Sequence, residues 1–190
     1  MRCKVFPGGF PWLTGVARQK VDLGNALATI ACRLFKIADA AGAIAILEQP
    51  KTSIMWLFDA FESLHSGVKG WFGTRDVCLD GAPWRKATSL YSNHAAIADI
   101  SGTCRCGWWV HHIQLVGVCP QTGENWTKIA GPYWPGFVRT VEKTVHEHAF
   151  MLKCDATTHK SGCWTDKSNS VLEALTDMIL PPRENALLIL

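Results

Sequence analysis

The sequence predicts an α/β fold in which a mostly parallel sheet, covered by helices on both faces, is joined to an antiparallel hairpin. Three observations support this prediction. Residues 20–41 have the spacing of an amphipathic helix. Residues 43–47 are all apolar, as in a strand buried on both faces of a parallel sheet. Residues 70–92 hold two short strand patterns around a turn.

The helix over residues 20–41 is predicted from apolar residues that recur every three or four positions. This stripe comprises Leu23, Leu27, Ile30, Leu34 and Ala38, and we expect it to face the core. The helix is expected to end near Gly42, because glycine favours helix ends.

The later elements are predicted from capping residues and turn signals. Ser53 can cap a helix that reaches about residue 65. The two hairpin strands are expected at about residues 70–78 and 88–92, on either side of an Asp-Gly pair. Residues 112–118 have the pattern of another strand. A last helix is expected to begin at Pro135, because proline favours the first helical turn.

Length and composition limit the class of protein. With 190 residues, 48% of them hydrophobic and 18% charged, the chain suits one packed domain. A net charge of +3 is too small to indicate a nucleic-acid partner. The N-terminus lacks an apolar run of signal-peptide length, and the longest uncharged run, residues 106–123, contains histidine and glutamine. We therefore expect an intracellular protein without a membrane span.

The predicted strand at residues 43–47 leads directly into a carboxylate, Glu48. In open α/β sheets ligands bind outside the carboxyl ends of the strands, so Glu48 is a candidate for chemistry. Glu48 can also cap the next helix or pair with Lys51, because structural ion pairs occupy strand ends as well. This pattern alone leaves both interpretations open.

Several motifs occur in order over about residues 7–150. They are Glu48-Gln49-Pro50, Trp56, Asp76-Val77-Cys78-Leu79-Asp80-Gly81, Lys86-Ala87-Thr88 and Asn93. In this order they resemble the C-terminal half of divergent cytosine-C5 DNA methyltransferase-like proteins, although Gln49 replaces an Asn and Ala87 replaces a Pro. The resemblance implies a partial Rossmann-like methyltransferase fold over residues 1–152 and an irregular extension over residues 153–190.

The resemblance also implies a role for Glu48. In that family a cysteine thiolate adds to C6 of a flipped-out cytosine while a carboxylic acid contacts N3, and the activated base takes the methyl group of S-adenosylmethionine. Glu48 matches the N3-contacting glutamate, and DNA is the implied partner. Substrate-binding roles are implied for Arg85, Lys86, Thr88 and Asn93. A solvated turn is an equally good account of Arg85 and Lys86.

Two parts of the family's machinery are missing from the sequence. The chain has no Pro-Cys dipeptide, which holds the family's nucleophile, and no glycine-rich cofactor loop. We therefore expect a fragment or remnant that does not methylate DNA alone, with S-adenosylmethionine bound tightly only in a complete parent. A nuclear location is expected if the parent is a eukaryotic DNA-modifying protein. The alternatives are a small zinc-binding protein and a non-catalytic interaction module, whose sheet a protein partner or second copy completes.

Cysteine and histidine residues form two candidate metal sets. The first comprises Cys104, Cys106, His111, His112 and Cys119, and the second comprises Cys154, His159 and Cys163. Neither set has the paired Cys-x-x-Cys spacing of common zinc sites, and core thiols with a packed imidazole are an alternative account. The sequence therefore predicts no metal ligand.

Overall fold

The computed structural model describes the backbone of residues 1–107, 109–157 and 187–189, and the side chains of the first two ranges up to residue 147. Its helices are α1 (Gly15–Ala40), α2 (Asp59–Gly67), α3 (Trp126–Ile129) and α4 (Pro135–Thr157). Its strands are β1 (Ile44–Pro50), β2 (Trp71–Asp76), β3 (Ala87–Ser92) and β4 (Leu187–Ile189). Short 3-10 helices cover Ile54–Leu57, Val77–Asp80 and Ala95–Ile100.

The sheet has the strand order β2-β3-β1-β4. Its body is antiparallel, because β3 pairs in the antiparallel sense with both β2 and β1. Glu48 on β1 lies opposite Leu90 on β3. The short β4 adds parallel pairs over three residues at the edge of β1. The predicted mostly parallel sheet, and with it the partial Rossmann-like fold, is therefore wrong.

The prediction is wrong about strand direction only. The burial of β1 agrees with its apolar sequence. Ala45, Ile46 and Leu47 are each at most 1% exposed. An apolar run shows that a strand is covered on both faces, but it does not show which way the neighbouring strand runs. Here the neighbour of β1 is β3, the second strand of the hairpin, which runs antiparallel to both β1 and β2.

Helices pack on both faces of the sheet. Ala45 and Leu47 on β1 face α1 and α2, in a core cluster that includes Phe35. Ile46 faces the opposite side, in a second cluster with Phe137 of α4. Alternate residues of β1 therefore contribute to two separate cores. Glu48, two residues after Ile46, lies on the same face as Ile46, toward α4.

Most of the predicted helices and the hairpin are confirmed. Ser53 accepts a hydrogen bond from the Met55 N–H, but the helix it caps is interrupted at Phe58 between a 3-10 turn and α2. Residues 112–118 are not a strand and form only isolated bridges, so that prediction is wrong. Most of the predicted extension at residues 153–190 lies outside the described residues. Among the described residues, no helix is long and apolar enough to cross a membrane.

The α1 helix is confirmed, but its predicted core-facing stripe is only partly right, since Ala38 is buried and Leu34 is half-buried. Leu23, Leu27 and Ile30 are 62%, 58% and 50% exposed. The buried positions of α1 are Val21, Cys32, Phe35 and Ala38. The predicted and the buried sets share Ala38 and diverge toward the N-terminus of the helix, where the spacing alone does not decide which face packs on the sheet.

Candidate metal centre

Four side chains from three segments of the chain converge beside the end of β2. They are Cys78, Cys104, Cys106 and His112. Each offers one ligand atom, a thiol sulphur or an imidazole nitrogen, and these atoms all lie within 4.8 Å of one another. The Cys104 sulphur lies 3.7 Å from Nε2 of His112. Three soft sulphur ligands and one imidazole make a donor set that suits zinc.

The separations fit a tetrahedral ion. Zinc binds sulphur at about 2.3 Å and nitrogen at about 2.0 Å, so tetrahedral angles place the ligand atoms roughly 3.5–3.8 Å apart. The 3.7 Å between Cys104 and His112 falls in this range. Shifts of about an ångström in side-chain positions would bring the remaining atoms from their 4.8 Å limit to the same spacing.

Cys78 is held in place by the connection between β2 and β3. It lies in the 3-10 helix that follows β2, and Gly81 ends this helix with a φ of 89°, in the left-handed region that glycine favours. Asp80 fixes the turn because both its carboxylate oxygens accept hydrogen bonds from Arg75, at 2.8 and 2.9 Å. Thr140 of α4 donates to the same carboxylate at 2.8 Å.

Cys104 and Cys106 follow a segment that pairs with the outer edge of β2. The Gly102 N–H donates to the Thr74 carbonyl at 2.8 Å, and the Asp76 N–H donates to the Gly102 carbonyl at 2.9 Å. The buried Asp76 side chain, 4% exposed, then accepts the Cys104 N–H at 2.7 Å. These bonds bring the Cys-x-Cys pair to the turn that carries the first thiol.

His112 reaches the cluster through its neighbour in sequence. The Ile113 N–H donates to the Pro83 carbonyl at 2.9 Å, and Ile113 forms an isolated bridge with Trp84. Ile113 also packs against the core cluster beneath α4. The residue after the histidine is therefore fixed to the β2–β3 connection, which keeps the imidazole near Cys78.

The three thiols affect one another's ionisation. Burial raises the pKa of Cys78 to about 12, with a further contribution from the neighbouring Cys104. A hydrogen bond from the Cys106 backbone lowers the pKa of Cys104, whereas the bond to Cys104 raises the pKa of Cys106. Thiolates crowded together repel each other, and a divalent cation between them reverses this balance because coordinated thiols are deprotonated.

The structure brings together part of the first candidate set. Cys104, Cys106 and His112 meet as ligands, whereas His111 is exposed. Cys119 lies in a separate turn, where its thiol donates to Oε1 of Gln121 at 3.0 Å. The second candidate set, residues 154–163, lies outside the described side chains.

Cys78 is the ligand that sequence reasoning missed. The sequence places Cys78 in the hairpin motif Asp76-Val77-Cys78, and its separation of 26 positions from Cys104 gives no spacing signal. Its position at the end of a predicted strand is a signal that could identify it. Residues at a strand end lie close to the neighbouring segment that pairs with that strand. With Cys78 the donor set reaches four, which favours zinc over core thiols.

Glu48 lies apart from this cluster, on the α4 side of β1. Its Oε2 accepts a hydrogen bond from the Tyr133 hydroxyl at 3.3 Å. Its Oε1 is buried and has no hydrogen-bond partner among the described residues. Burial raises the pKa of Glu48, although the nearby Lys86 ammonium and the Tyr133 hydroxyl oppose the shift. The cavity beside it has a volume of about 10 Å³, which is at the limit for one water.

Three of the predicted substrate-binding residues follow β2 or lie on β3. Lys86 and Thr88 line a small cavity with Tyr133, next to the Glu48 pocket. The Thr88 hydroxyl is buried without a partner among the described residues. Arg85 lies closer to the metal cluster, since its Nε donates to Asp76 at 3.2 Å.

Asn93, the fourth predicted substrate-binding residue, connects elements of the fold. Its Oδ1 accepts the Ala45 N–H at 2.9 Å. Its Nδ2 donates to Asp39 and to the Ala43 carbonyl, each at 2.9 Å. These bonds join the start of β1 to the end of α1, about three residues along β1 from Glu48. Its substrate-binding role stays a prediction.

Compared with known proteins, the chain matches no family model, no curated protein and no solved structure. The resemblance to cytosine-C5 methyltransferase-like proteins therefore stays a prediction.

Proposed function

We propose that this chain is a zinc-binding domain in which Cys78, Cys104, Cys106 and His112 hold one Zn²⁺. The observation that carries the proposal is the convergence of their four ligand atoms within 4.8 Å. Thiolate and imidazole ligands favour zinc over magnesium or calcium, which prefer oxygen ligands.

The role that fits this donor set is structural. Four protein ligands complete a tetrahedral zinc site, whereas a catalytic zinc keeps one position for water or substrate. The ligands come from the β2–β3 connection, the segment paired with β2 and the loop that follows. Residues 101–125 contain no helix or strand longer than a single bridge within the described part. A bound ion would fix this irregular region to the sheet.

The test is the zinc content of the purified full chain. We expect about one zinc per chain, lost in Cys78→Ser and in Cys104→Ser. Cys3→Ser and Cys119→Ser are matched controls, since both change a cysteine outside the cluster, and both should retain the ion. Cobalt substitution should add the absorption of a tetrahedral thiolate site in the wild type and in both controls, but not in the two cluster variants. Zinc retained by both cluster variants, or absent from the wild type grown with zinc, would overturn the proposal.

A second candidate function concerns Glu48, and it rests on the resemblance. We propose that in a complete parent Glu48 contacts N3 of a target cytosine. The supporting observation is its unpartnered, buried Oε1, together with a raised pKa that favours the protonated form as a hydrogen-bond donor. The adjacent cavity is too small for a base, so Tyr133 would have to move aside.

The experiment for this second function uses both the chain and a reconstructed parent. The chain alone should transfer no label from tritiated S-adenosylmethionine to cytosine-containing DNA, because it lacks the Pro-Cys nucleophile. In the parent, Glu48→Gln should lower the single-turnover rate far more than DNA affinity. Arg85→Ala should instead weaken DNA binding in a salt-dependent way. A Glu48→Gln rate within about twofold of wild type would refute the assignment.

A further inference from the structure

A large cleft lies on the opposite face of β1 from Glu48. It has a volume of about 450 Å³ and is bounded by the N-terminal segment, α1 and the 3-10 turn after β1. Leu47 and Gln49 line it, because alternate residues of a strand point to opposite faces. Ligand-binding clefts span roughly 300–1,000 Å³, so this volume suits a small organic molecule.

The cleft contains a cation without a counterion. Among its described lining residues Arg2 is charged and no carboxylate is present. One terminal nitrogen of Arg2 donates to the Val21 carbonyl at 2.8 Å and to Oδ1 of Asn25 at 2.7 Å. Its Nε is buried and has no hydrogen-bond partner among the described residues. A ligand in the cleft does not reach this buried nitrogen, but it can reach the part of the Arg2 guanidinium that lines the cleft. A positive charge among lining residues that include no carboxylate favours an anionic acceptor as the ligand.

Helix α1 accommodates this guanidinium at a glycine. A Cβ at Gly24 would lie 2.8 Å from the Arg2 terminal nitrogen, too close for an ordinary contact. Glycine is a poor helix former, and Gly24 lies in the interior of a 26-residue helix. An alanine at this position would stabilise the helix, but its methyl group would occupy the space of the Arg2 guanidinium. The glycine therefore allows Arg2 to lie directly against the helix.

We infer that this cleft binds a small organic anion with an apolar body. Arg2, with Asn25 and Ser53 nearby, would take the anionic group. Apolar walls would contact the rest, among them Leu27, Ala28, Leu47, Met55 and Phe58. This site lies apart from the cysteine cluster, and its ligand does not depend on the proposed zinc.

The test compares two fluorescent probes that differ in charge. Anilinonaphthalene sulfonate carries an anionic group on an apolar body, and N-phenylnaphthylamine is its neutral counterpart. We expect the sulfonate to bind at one site per chain and Arg2→Gln to weaken it at least about tenfold, the effect of losing a charged hydrogen-bonding partner. Arg18→Gln is the matched control, because Arg18 is an exposed arginine that pairs with Asp22 on α1.

Two further variants separate the cleft from other apolar surfaces. Gly24→Ala should weaken sulfonate binding by displacing Arg2, and Ala28→Leu should weaken both probes by filling the cleft. Circular dichroism should show that each variant keeps its helix content. Equal sulfonate affinity in wild type and Arg2→Gln would overturn the inference. Tighter binding of the neutral probe than of the sulfonate would also overturn it, since the cleft would then be a site for uncharged apolar compounds.

Discussion

Glu48 is a carboxyl group whose surroundings favour its neutral form. Burial raises its pKa despite the attraction of Lys86 and the hydrogen bond from Tyr133. The pKa in the folded state therefore lies above that of the unfolded chain. Folding is favoured by the protonated form, so this contribution is present at low pH and is lost as the pH rises through the folded-state pKa.

Glu48→Gln should reveal this dependence, because glutamine resembles the protonated acid and does not ionise. Relative to wild type, we expect the free energy of unfolding of Glu48→Gln to increase as the pH rises from about 4 to about 8. Urea unfolding of both proteins at each pH measures the difference. A gap that does not change with pH would mean that folding leaves the pKa of Glu48 unshifted, and a gap that moves in favour of wild type would mean that the carboxylate is stabilised in the folded protein.

Asp76 supports the metal cluster without belonging to it. Its Oδ2 accepts both the Cys104 N–H and Arg85 Nε. Asp76→Ala should lower zinc affinity by about 10- to 100-fold while all four ligands remain, because groups that orient ligands affect affinity on this scale. Competition with a chelator of known affinity measures it. Asp22→Ala is the matched control, since the Asp22 side chain is 51% exposed in a surface pair with Arg18 and lies outside the cluster. Equal affinities for wild type and Asp76→Ala would show that Asp76 does not orient Cys104.

At the scale of elements, local sequence patterns locate most helices and the hairpin. They do not show how the strands pair or which helix face packs on the sheet. The all-apolar run of β1 correctly indicated a strand covered on both faces, and the Asp-Gly turn correctly indicated the β2–β3 hairpin. Strand direction and the buried face of α1 depend on packing between distant segments, which no local repeat encodes. The metal cluster shows the same limit, because Cys78 meets Cys104 only through the pairing of residues near 102 with β2.

Two leucines test the packing of these elements. Leu47 on β1 is 1% exposed, and Leu23 on the predicted stripe of α1 is 62% exposed. We expect Leu47→Ala to cost about 2–5 kcal/mol of unfolding free energy, because it leaves a cavity in the core. Leu23→Ala should stay within about 0.5 kcal/mol, as at other exposed sites. Similar costs for both variants in urea unfolding would mean that Leu23 packs against another surface.

At the scale of the whole molecule, the sheet is covered on both faces and its edges are partly paired. The outer edge of β1 pairs with β4, and the outer edge of β2 pairs with the segment at Gly102. The exposed apolar residues of α1, including Val16 and Ile37, are a more prominent feature than an open sheet edge. Self-association or a protein partner stays a prediction, and these residues are where we expect such contact.

Zinc removal should destabilise one region of the molecule and leave the rest folded. A bound ion would fix the segment that carries Cys104, Cys106 and His112 to the β2–β3 connection, whereas α1, α2 and β1 pack through their own core cluster. Chelation should therefore remove hydrogen-exchange protection around residues 102–119 and leave β1 and α1 protected. It should also lower the Tm by at least about 5 °C, since an ion that binds only the folded state stabilises it. Cys78→Ser should resemble the chelated protein and Cys119→Ser the loaded one. If chelation left both the Tm and the exchange pattern unchanged, the four side chains would have to be held together by protein contacts alone.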